Sequence, residues 1–300
     1  MISVIIPHLN QEKALRRCLA SLCEQGGLRE PAEIIVVDNG SLALPDKVCA
    51  DFPGVVLLQQ PEPGPGPARN LGVSTARGDI LAFIDADCVA EETWLSTIER
   101  RFEGSPQTTI LGGNVRILYD DPGQITLLEA YESVFAYRMK EYIEKRGFTG
   151  GGNLAMRAEV FRAVGPFGGI TIAEDTEWGQ RASRLGFRIR YASEMIVYHP
   201  ARKTFTELSR KWDRHIAHDF AEMRGEQFWW PRWVLRSAAV ALSPVAECRR
   251  ILVSDRLIGA RARLLAFLGV VQIRFYRVRV MLALAGGADV SDLSARWNRP

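Results

Sequence analysis

Two carboxylates at a spacing of two residues, Asp85 and Asp87, directly follow the apolar segment Ile80–Ile84. In an extended chain alternate side chains point the same way, so both carboxylates can reach one cation. Mg²⁺ and Mn²⁺ prefer oxygen ligands of this kind. The pair therefore predicts a site for Mg²⁺ or Mn²⁺ at the end of a strand, although aspartates in this position also form turns or cap helices.

Segments typical of strands alternate with helical segments before this pair. The predicted strands lie at about residues 2–7, 33–37 and 55–58, and the predicted helices begin near residue 12 and extend over about 68–76. This alternation indicates an α/β protein with a mainly parallel sheet, flanked by helices and joined by right-handed crossovers. Because the carboxyl ends of parallel strands lie at one edge, we expect Asp38, after the second strand, to lie near Asp85.

These segments resemble the family 2 glycosyltransferases, which have the GT-A fold. The matching motifs come in the family's order over about residues 1–205 and are Val4-Ile5-Ile6-Pro7 with Asn10, the segment 33–41 ending in Asp38-Asn39-Gly40-Ser41, Ala68-Arg69-Asn70-Leu71-Gly72, Gly78-Asp79-Ile80, Asp85-Ala86-Asp87, Gly152-Asn153, Glu174-Asp175 and His199. The resemblance implies a catalytic domain at 1–205 that is an inverting, metal-dependent hexosyltransferase. Its donor would be a UDP- or GDP-sugar and its acceptor a saccharide or lipid-linked molecule, in polysaccharide or glycolipid assembly of the bacterial type.

The resemblance also implies which residues bind the donor. Asp38 would accept a hydrogen bond from the nucleotide base, because a carboxylate accepts and a ring N–H donates; a turn over residues 38–41 is the alternative. Asp87 would bind the metal, with Asp85 near the ribose or the metal and His199 beside the metal or the diphosphate. The other residues implied in donor binding are Pro7, Asn10, Arg69, Gly152 and Asn153.

The acidic pair Glu174-Asp175 opens a predicted amphipathic helix about 90 residues after the metal pair. In the family's pattern the second residue of this pair is the general base that takes the proton of the acceptor hydroxyl. Asp175 is therefore the implied base, with Glu174 in support. Acidic residues also suit a helix N-terminus through its dipole, which is the alternative.

Three further segments have weaker predicted roles. The proline-rich stretch at residues 61–67 lacks a phosphate-loop ending and is predicted to be a stiff connector. Residues 150–152 are glycines that would close over the donor sugar and acceptor, or form a flexible loop. Residues 124–146 are predicted to be a helical insert that could recognise the acceptor.

Two other classes of protein remain as alternatives. A nucleotidyltransferase of similar α/β architecture should carry a glycine-rich loop with Arg or Lys near residue 10, where this chain has His8-Leu9-Asn10-Gln11. A catalytically inactive binding module should lack Asp87 or Asp175, and both are present. Processive synthases carry Gln-x-x-Arg-Trp, and that spacing is missing around residues 210–212, which favours addition of one sugar.

Composition indicates an ordinary globular protein, with 47% hydrophobic and 24% charged residues in 300. The five cysteines show no CxxC spacing, and no apolar leader opens the sequence, so we expect a reducing cytoplasm without disulfides. Residues 1–200 carry 20 basic against 26 acidic residues, whereas residues 201–300 carry 18 against 9. The acidic first part and the lack of a nucleic-acid motif argue against nucleic-acid binding.

The basic region at residues 206–300 is predicted to be a helical extension. Its apolar stretches are interrupted by arginine before they reach the ~20 residues that span a bilayer. A basic stripe is predicted within about 60° of one helix, at Arg256, Arg263, Arg274 and Arg277. With tryptophans at 229, 230 and 233, this stripe suits peripheral attachment to the inner face of the plasma membrane. Packing on the catalytic domain or formation of a homodimer are the alternatives.

Overall fold

The protein is represented by a computed structural model, which describes residues 1–290. It divides into two compact units. The sheet unit comprises Met1–Leu118 and Tyr137–Pro200, and the helical unit comprises Tyr119–Ala136 and the chain from Ala201 onward. The helical unit thus contains a segment from the middle of the chain as well as the C-terminal region.

Within residues 1–290 the sheet unit has one eight-stranded sheet, with the strand order β3-β2-β1-β4-β7-β6-β8-β5. The strands are β1 Ile2–His8, β2 Glu33–Asp38, β3 Val55–Gln59, β4 Ile80–Ile84, β5 Val89–Ala90, β6 Ile110–Leu118, β7 Asn153–Arg157 and β8 Ile189–Pro200. All run in one direction except β5 and β7. The expectation of a mainly parallel sheet flanked by helices is confirmed.

Helices occur in both units. In chain order they are α1 Glu12–Cys23, α2 Asp46–Ala50, α3 Pro65–Thr75, α4 Trp94–Glu103, α5 Leu127–Phe135, α6 Met139–Arg146, α7 Ala158–Val164, α8 Glu174–Arg184, α9 Phe205–Arg224, α10 Trp229–Leu252 and α11 Gly259–Ala285. Of these, α5 and α9 to α11 belong to the helical unit.

Two of the predicted segments differ from the structure. The stiff connector at residues 61–67 is wrong for its second part, because α3 already begins at Pro65. Proline suits the first turn of a helix, where its missing N–H would have no partner and its φ is already helical. The predicted insert at residues 124–146 is two helices, α5 and α6, in different units. The chain bends between them at Tyr137, which has a φ of 39°.

The sheet is covered on both faces by apolar side chains. On one face, the predicted stripe of α1 (Leu15, Leu19 and Leu22) packs in the same cluster as Val4 and Ile6 of β1. On the other face, aromatic residues from α7 and α8 pack against β4. Burying a leucine or phenylalanine side chain contributes about 1.5–3 kcal/mol, so both layers hold the strand ends firmly in register.

Strand pairing brings the predicted site residues together at one end of the strands. In the parallel pair β1–β2, His8 lies opposite Asp38. In the antiparallel pair β4–β7, Ile84 lies opposite Asn153. The residues immediately after β4 and immediately before β7 therefore meet at that same end, because antiparallel neighbours exchange their ends.

The helical unit contradicts the predicted orientation of the basic stripe. Arg256 precedes α11, and Arg277 is buried with its guanidinium 3.9 Å from the centre of the Trp212 ring. Arg274 lies near the same ring and pairs with Glu247 at 3.6 Å. These arginines point into the helical unit and not toward an external surface. Among residues 1–290, no helix combines the length and the hydropathy that a bilayer span requires.

One stability prediction follows from Asn153, which is 1% exposed. Its amide donates to the carbonyls of Asn114 and Met195 and accepts from the Trp94 indole, each at 2.9 Å. Asn153→Leu leaves three buried polar groups unpaired, at ~1–3 kcal/mol each. We expect the free energy of unfolding to fall by at least about 3 kcal/mol in urea denaturation.

Gln107→Leu, at an exposed loop position, is the control and should change that free energy by less than ~0.5 kcal/mol. An Asn153→Leu protein as stable as the control would show that this hydrogen-bond network does not hold the fold.

Candidate active site

Arg69 lies among the carboxylates at the carboxyl ends of the parallel strands. Its side chain is 3% exposed and donates to Asp85 and to Glu174, both at 2.7 Å. Burial by itself lowers the pKa of Arg69, but the two carboxylates raise it above its ordinary value, so the guanidinium is charged. One buried cation, carried by α3, therefore joins the predicted metal pair after β4 to the predicted base pair that opens α8.

The glycines at residues 150–152 pack tightly on this cation. A Cβ on Gly151 would lie 2.7 Å from Cζ of Arg69, and a Cβ on Gly152 would lie 2.3 Å from Oδ2 of Asp85. Separations this short are not tolerated, so only glycine fits at both positions. The predicted need for close backbone approach is explained by Arg69 and Asp85, which the glycine run covers.

Asp87 and His199 form a second group at this edge, with 3.4 Å between Oδ2 and Nε2. His199 Nδ1 lies 2.7 Å from the carbonyl oxygen of Pro200, and a carbonyl only accepts, so Nδ1 carries a hydrogen. With the hydrogen on Nδ1, Nε2 is the nitrogen whose lone pair a cation between it and the carboxylate could use. Burial raises the pKa of Asp87, which His199 opposes and Asp85 reinforces.

This donor set suits Mn²⁺ or Mg²⁺. Both ions accept the Asp87 carboxylate, and imidazole suits Mn²⁺ better than Mg²⁺. A hydrogen bond on the far ring nitrogen is the usual support for a ligating histidine. Within residues 1–290, no cluster of three or more His, Cys, Asp or Glu side chains could hold a metal. A bound ion would therefore need further oxygen ligands, which a diphosphate can supply.

Asp38 lies at the end of β2 and is 4% exposed. Its carboxylate accepts from the Ser41 hydroxyl at 2.5 Å, from Nδ1 of His8 at 2.9 Å, and from the backbone N–H groups of Gly40 and Ser41. Burial on its own raises the pKa of Asp38, but these hydrogen bonds outweigh it and lower the pKa. Asp38 thus builds the turn that the sequence left as an alternative.

His8 is a member of this group that sequence reasoning missed. Its Nε2 accepts from the backbone N–H of Gln11 at 3.1 Å, so Nδ1 carries the hydrogen that Asp38 accepts. The signal that could have found it is the parallel pairing of two strand ends, His8 opposite Asp38. A histidine at the end of a buried strand needs a partner, and the neighbouring strand end supplies a carboxylate.

Asp175 lies in the first turn of α8 beside Glu174. Its Oδ1 accepts from the Thr176 N–H at 2.7 Å, and Oδ2 has no hydrogen-bond partner among the residues that the structure describes. Burial raises the pKa of Asp175, and the charge of Glu174 raises it further. Asp175 is therefore a carboxylate with one uncommitted oxygen and greater basicity than an exposed aspartate.

The remaining predicted residues have structural positions at this edge. Pro7 lies in β1 opposite Val37. Asn10 has a φ of 54°, and its Oδ1 accepts from the Leu42 N–H at 2.8 Å, which fixes the loop after β1 against the turn after β2. The amide of Asn153 is fully engaged inside the protein. The side chain of Asn153 therefore points into the protein and not toward the carboxylates of Asp85 and Asp87.

Comparison with known proteins identifies relatives of this chain. The model of the family "Glycosyl transferase family 2" matches residues 3–165, more than half of the chain. Glycosyltransferase AglE of Haloferax volcanii is 34% identical over 216 residues, which are 70% of each chain. The pre-mycofactocin glycosyltransferase of Mycobacterium tuberculosis is 28% identical over 211 residues, 67% of this chain but only 43% of that relative.

Solved structures show the same architecture. The mannosyltransferase PcManGT of Pyrobaculum calidifontis, in complex with GDP-Man and Mn²⁺, matches with a TM-score of 0.57 at 16% identity, over 100% of this chain and 88% of that one. TarS 1-349 of S. aureus, in complex with UDP-GlcNAc, matches with a TM-score of 0.54 at 16% identity, over 95% and 92%. The fold is therefore the predicted GT-A fold. Since the family model covers more than half of its length, the chain belongs to glycosyl transferase family 2 and is a glycosyltransferase.

Proposed function

We propose that this glycosyltransferase moves one sugar from a UDP- or GDP-sugar to a hydroxyl of a saccharide or lipid-linked acceptor, with inversion and with a divalent cation. The observation that carries the proposal is the bridge formed by Arg69. It joins Asp85 to Glu174, so the ligands for a cation and the basic carboxylate of Asp175 belong to one site. The chain would serve polysaccharide or glycolipid assembly.

The donor would bind along the edge between Asp38 and Asp87. The Ser41 hydroxyl can rotate away from Asp38 and leave one lone pair of Oδ1 to the ring N–H of a base, while His8 keeps its hydrogen bond to the same oxygen. A Mn²⁺ or Mg²⁺ ion held by Asp87 and His199, with Asp85 beside it, would neutralise charge on the departing diphosphate. PcManGT with GDP-Man and Mn²⁺, and TarS with UDP-GlcNAc, support a nucleotide-sugar donor but do not decide between the two bases.

Asp175 would act as the general base. Its raised pKa brings it closer to that of a hydroxyl whose acidity rises as the new bond forms. Glu174, held by Arg69, lies next to Asp175 in the chain and keeps the base in place. Asp175 takes the acceptor proton, the acceptor oxygen attacks the anomeric carbon from the face opposite the nucleotide, and the single displacement inverts that carbon.

The two alternatives are less well supported. A nucleotidyltransferase is disfavoured by the match to a glycosyltransferase family. An inactive binding module is disfavoured because Asp87 and Asp175 are both present, and burial raises the pKa of each.

The first prediction for this function concerns the cation. UDP or GDP should bind in calorimetry with Mn²⁺ present, and Asp87→Ala should remove that binding because the ion loses its carboxylate. Asp79→Ala, at a side chain that is 94% exposed, is the matched control and should bind like the parent. Undiminished nucleotide affinity in excess EDTA would exclude the proposed cation site.

The second prediction concerns the base. Asp175→Asn keeps the shape of the side chain but cannot take a proton, so single-turnover transfer should fall by ~10²–10⁴ while donor affinity changes little. Glu174→Gln should cost less. Since burial disfavours the charged form of Asp175, the amide variant should unfold at the same temperature as the parent or a higher one. Transfer within a few-fold of the parent would place the base elsewhere.

The third prediction concerns pH. Asp175 must be ionised to act, and its pKa is raised above the ordinary aspartate value of 3.8. At saturating donor and Mn²⁺, the transfer rate should rise with pH through this raised pKa and then level off, so the acid limb lies above that of an exposed aspartate. Asp175→Asn should lose this limb. A residual rate with an unchanged limb would assign the titration to another group.

A further inference from the structure

The hairpin of α10 and α11 exposes an unusual amount of apolar surface. Of the large hydrophobic side chains that are exposed in the described chain, twelve of eighteen lie between Phe228 and Leu282. We define the hairpin face as the exposed apolar residues of this hairpin, which are Leu235, Leu242, Val245, Leu252, Val253, Ile258, Leu264, Leu268, Phe275 and Leu282. An apolar surface this extensive marks an interaction site on a folded protein.

On α10 the exposed side is continuously apolar over about three turns. From Leu235 to Ala246 every exposed residue is apolar: Leu235, Ala238, Ala239, Ala241, Leu242, Val245 and Ala246. At 100° per residue these positions occupy a sector of about 160°. On α11 the exposed residues from Arg261 to Leu282 fall within about 80°. Its members are Arg261, Leu264, Leu268, Gln272, Phe275, Arg279 and Leu282. The exposed side of α10 is thus apolar, and on α11 Leu264, Leu268, Phe275 and Leu282 are interspersed with Arg261, Gln272 and Arg279.

The interior of the helical unit is apolar, but it also encloses charged groups. Asp213 is 1% exposed and accepts from the Tyr276 hydroxyl at 2.7 Å. Arg277 is buried against Trp212, and Arg274 pairs with Glu247. A helix that faces water normally places its charges outward and its leucines inward. Apolar clusters fill the interior of the unit, so the exposed leucines give these helices a second apolar side. That second side suits contact with an apolar phase.

The charge of the hairpin indicates which partner this is. Residues 229–285 contain ten arginines, no lysine and two acidic residues, Glu247 and Asp255. Glu247 is already engaged by Arg250 and Arg274. A second copy of the chain would bring its own exposed Arg249, Arg261 and Arg279 to the same interface, so like charges oppose self-association. An anionic surface with an apolar layer beneath it complements both the arginines and the exposed apolar residues of the hairpin.

We propose that the hairpin face of α10–α11 docks on an anionic phospholipid bilayer. The leucines, valines and Phe275 enter the boundary between headgroups and acyl chains, and Arg249, Arg261 and Arg279 contact lipid phosphates. The hairpin lies on the bilayer and does not cross it. This docking surface is distinct from the basic stripe predicted from the sequence, and it does not depend on the proposed reaction.

The test uses the full-length protein and sedimentation with vesicles of phosphatidylglycerol and phosphatidylcholine, compared with phosphatidylcholine alone. Leu242 and Leu268 are 72% and 44% exposed, so replacing them should not disturb packing. The double variant Leu242→Glu and Leu268→Glu should bind anionic vesicles at least tenfold more weakly than the parent. Leu185→Glu, at a 56% exposed leucine of the sheet unit, is the matched control and should bind like the parent.

A second pair of variants tests the charge. Arg261→Gln and Arg279→Gln should each weaken binding about fivefold, since a basic residue near an anionic membrane contributes about 1 kcal/mol. All four variants should keep parental Mn²⁺-dependent nucleotide binding, which separates this test from that of the proposed reaction. Unchanged vesicle binding in the leucine double variant would overturn the proposal. So would a parent protein that ignores anionic vesicles and instead forms a dimer that the double variant abolishes in light scattering.

Discussion

The charge of Arg69, buried between two carboxylates, is the interaction on which the active site depends. A guanidinium that is 3% exposed is stable only if its charge is paired, and Asp85 and Glu174 provide that pairing from segments that are 16 and 105 residues away. The bridge fixes the end of β4 against the start of α8. It also explains the glycines at 151 and 152, since any side chain there would displace the cation or its partner.

The same bridge distinguishes the two members of each acidic pair, Asp85 from Asp87 and Glu174 from Asp175. In each acidic pair one member is bound to Arg69, and the other, Asp87 or Asp175, has a raised pKa because it is buried without such a partner. The bound member also adds a negative charge that raises the pKa of its neighbour. Arg69 thus holds Asp85 and Glu174, and in the proposed mechanism Asp87 and Asp175 remain available to a cation and to a proton.

Much of the sheet unit follows from sequence because its signals are local. An apolar run that ends in Asp85 and Asp87 predicts a strand with carboxylates at its end, and the alternation of strands and helices predicts which ends share an edge. The bridge of Arg69 to Glu174 could not be predicted, because it joins residues that no local pattern relates. The hydrogen bond of His8 to Asp38 was missed for the same reason. The orientation of α11 was predicted wrongly for a different reason. Its periodicity located one face with arginines and one with leucines, but periodicity alone does not say which face is buried.

The path of the chain through the two units has a consequence for how such a protein can evolve. The chain passes from one unit to the other three times, after Leu118, Ala136 and Pro200. Tyr131 of α5 packs so closely on α11 that a Cβ at Gly269 would lie 2.8 Å from its own Cβ. An accessory module appended to a terminus can be lost by a premature stop or exchanged by recombination at one boundary. The helical unit is not removed whole by such an event, because α5 lies between strands of the sheet unit and would remain, without the α11 surface on which Tyr131 packs.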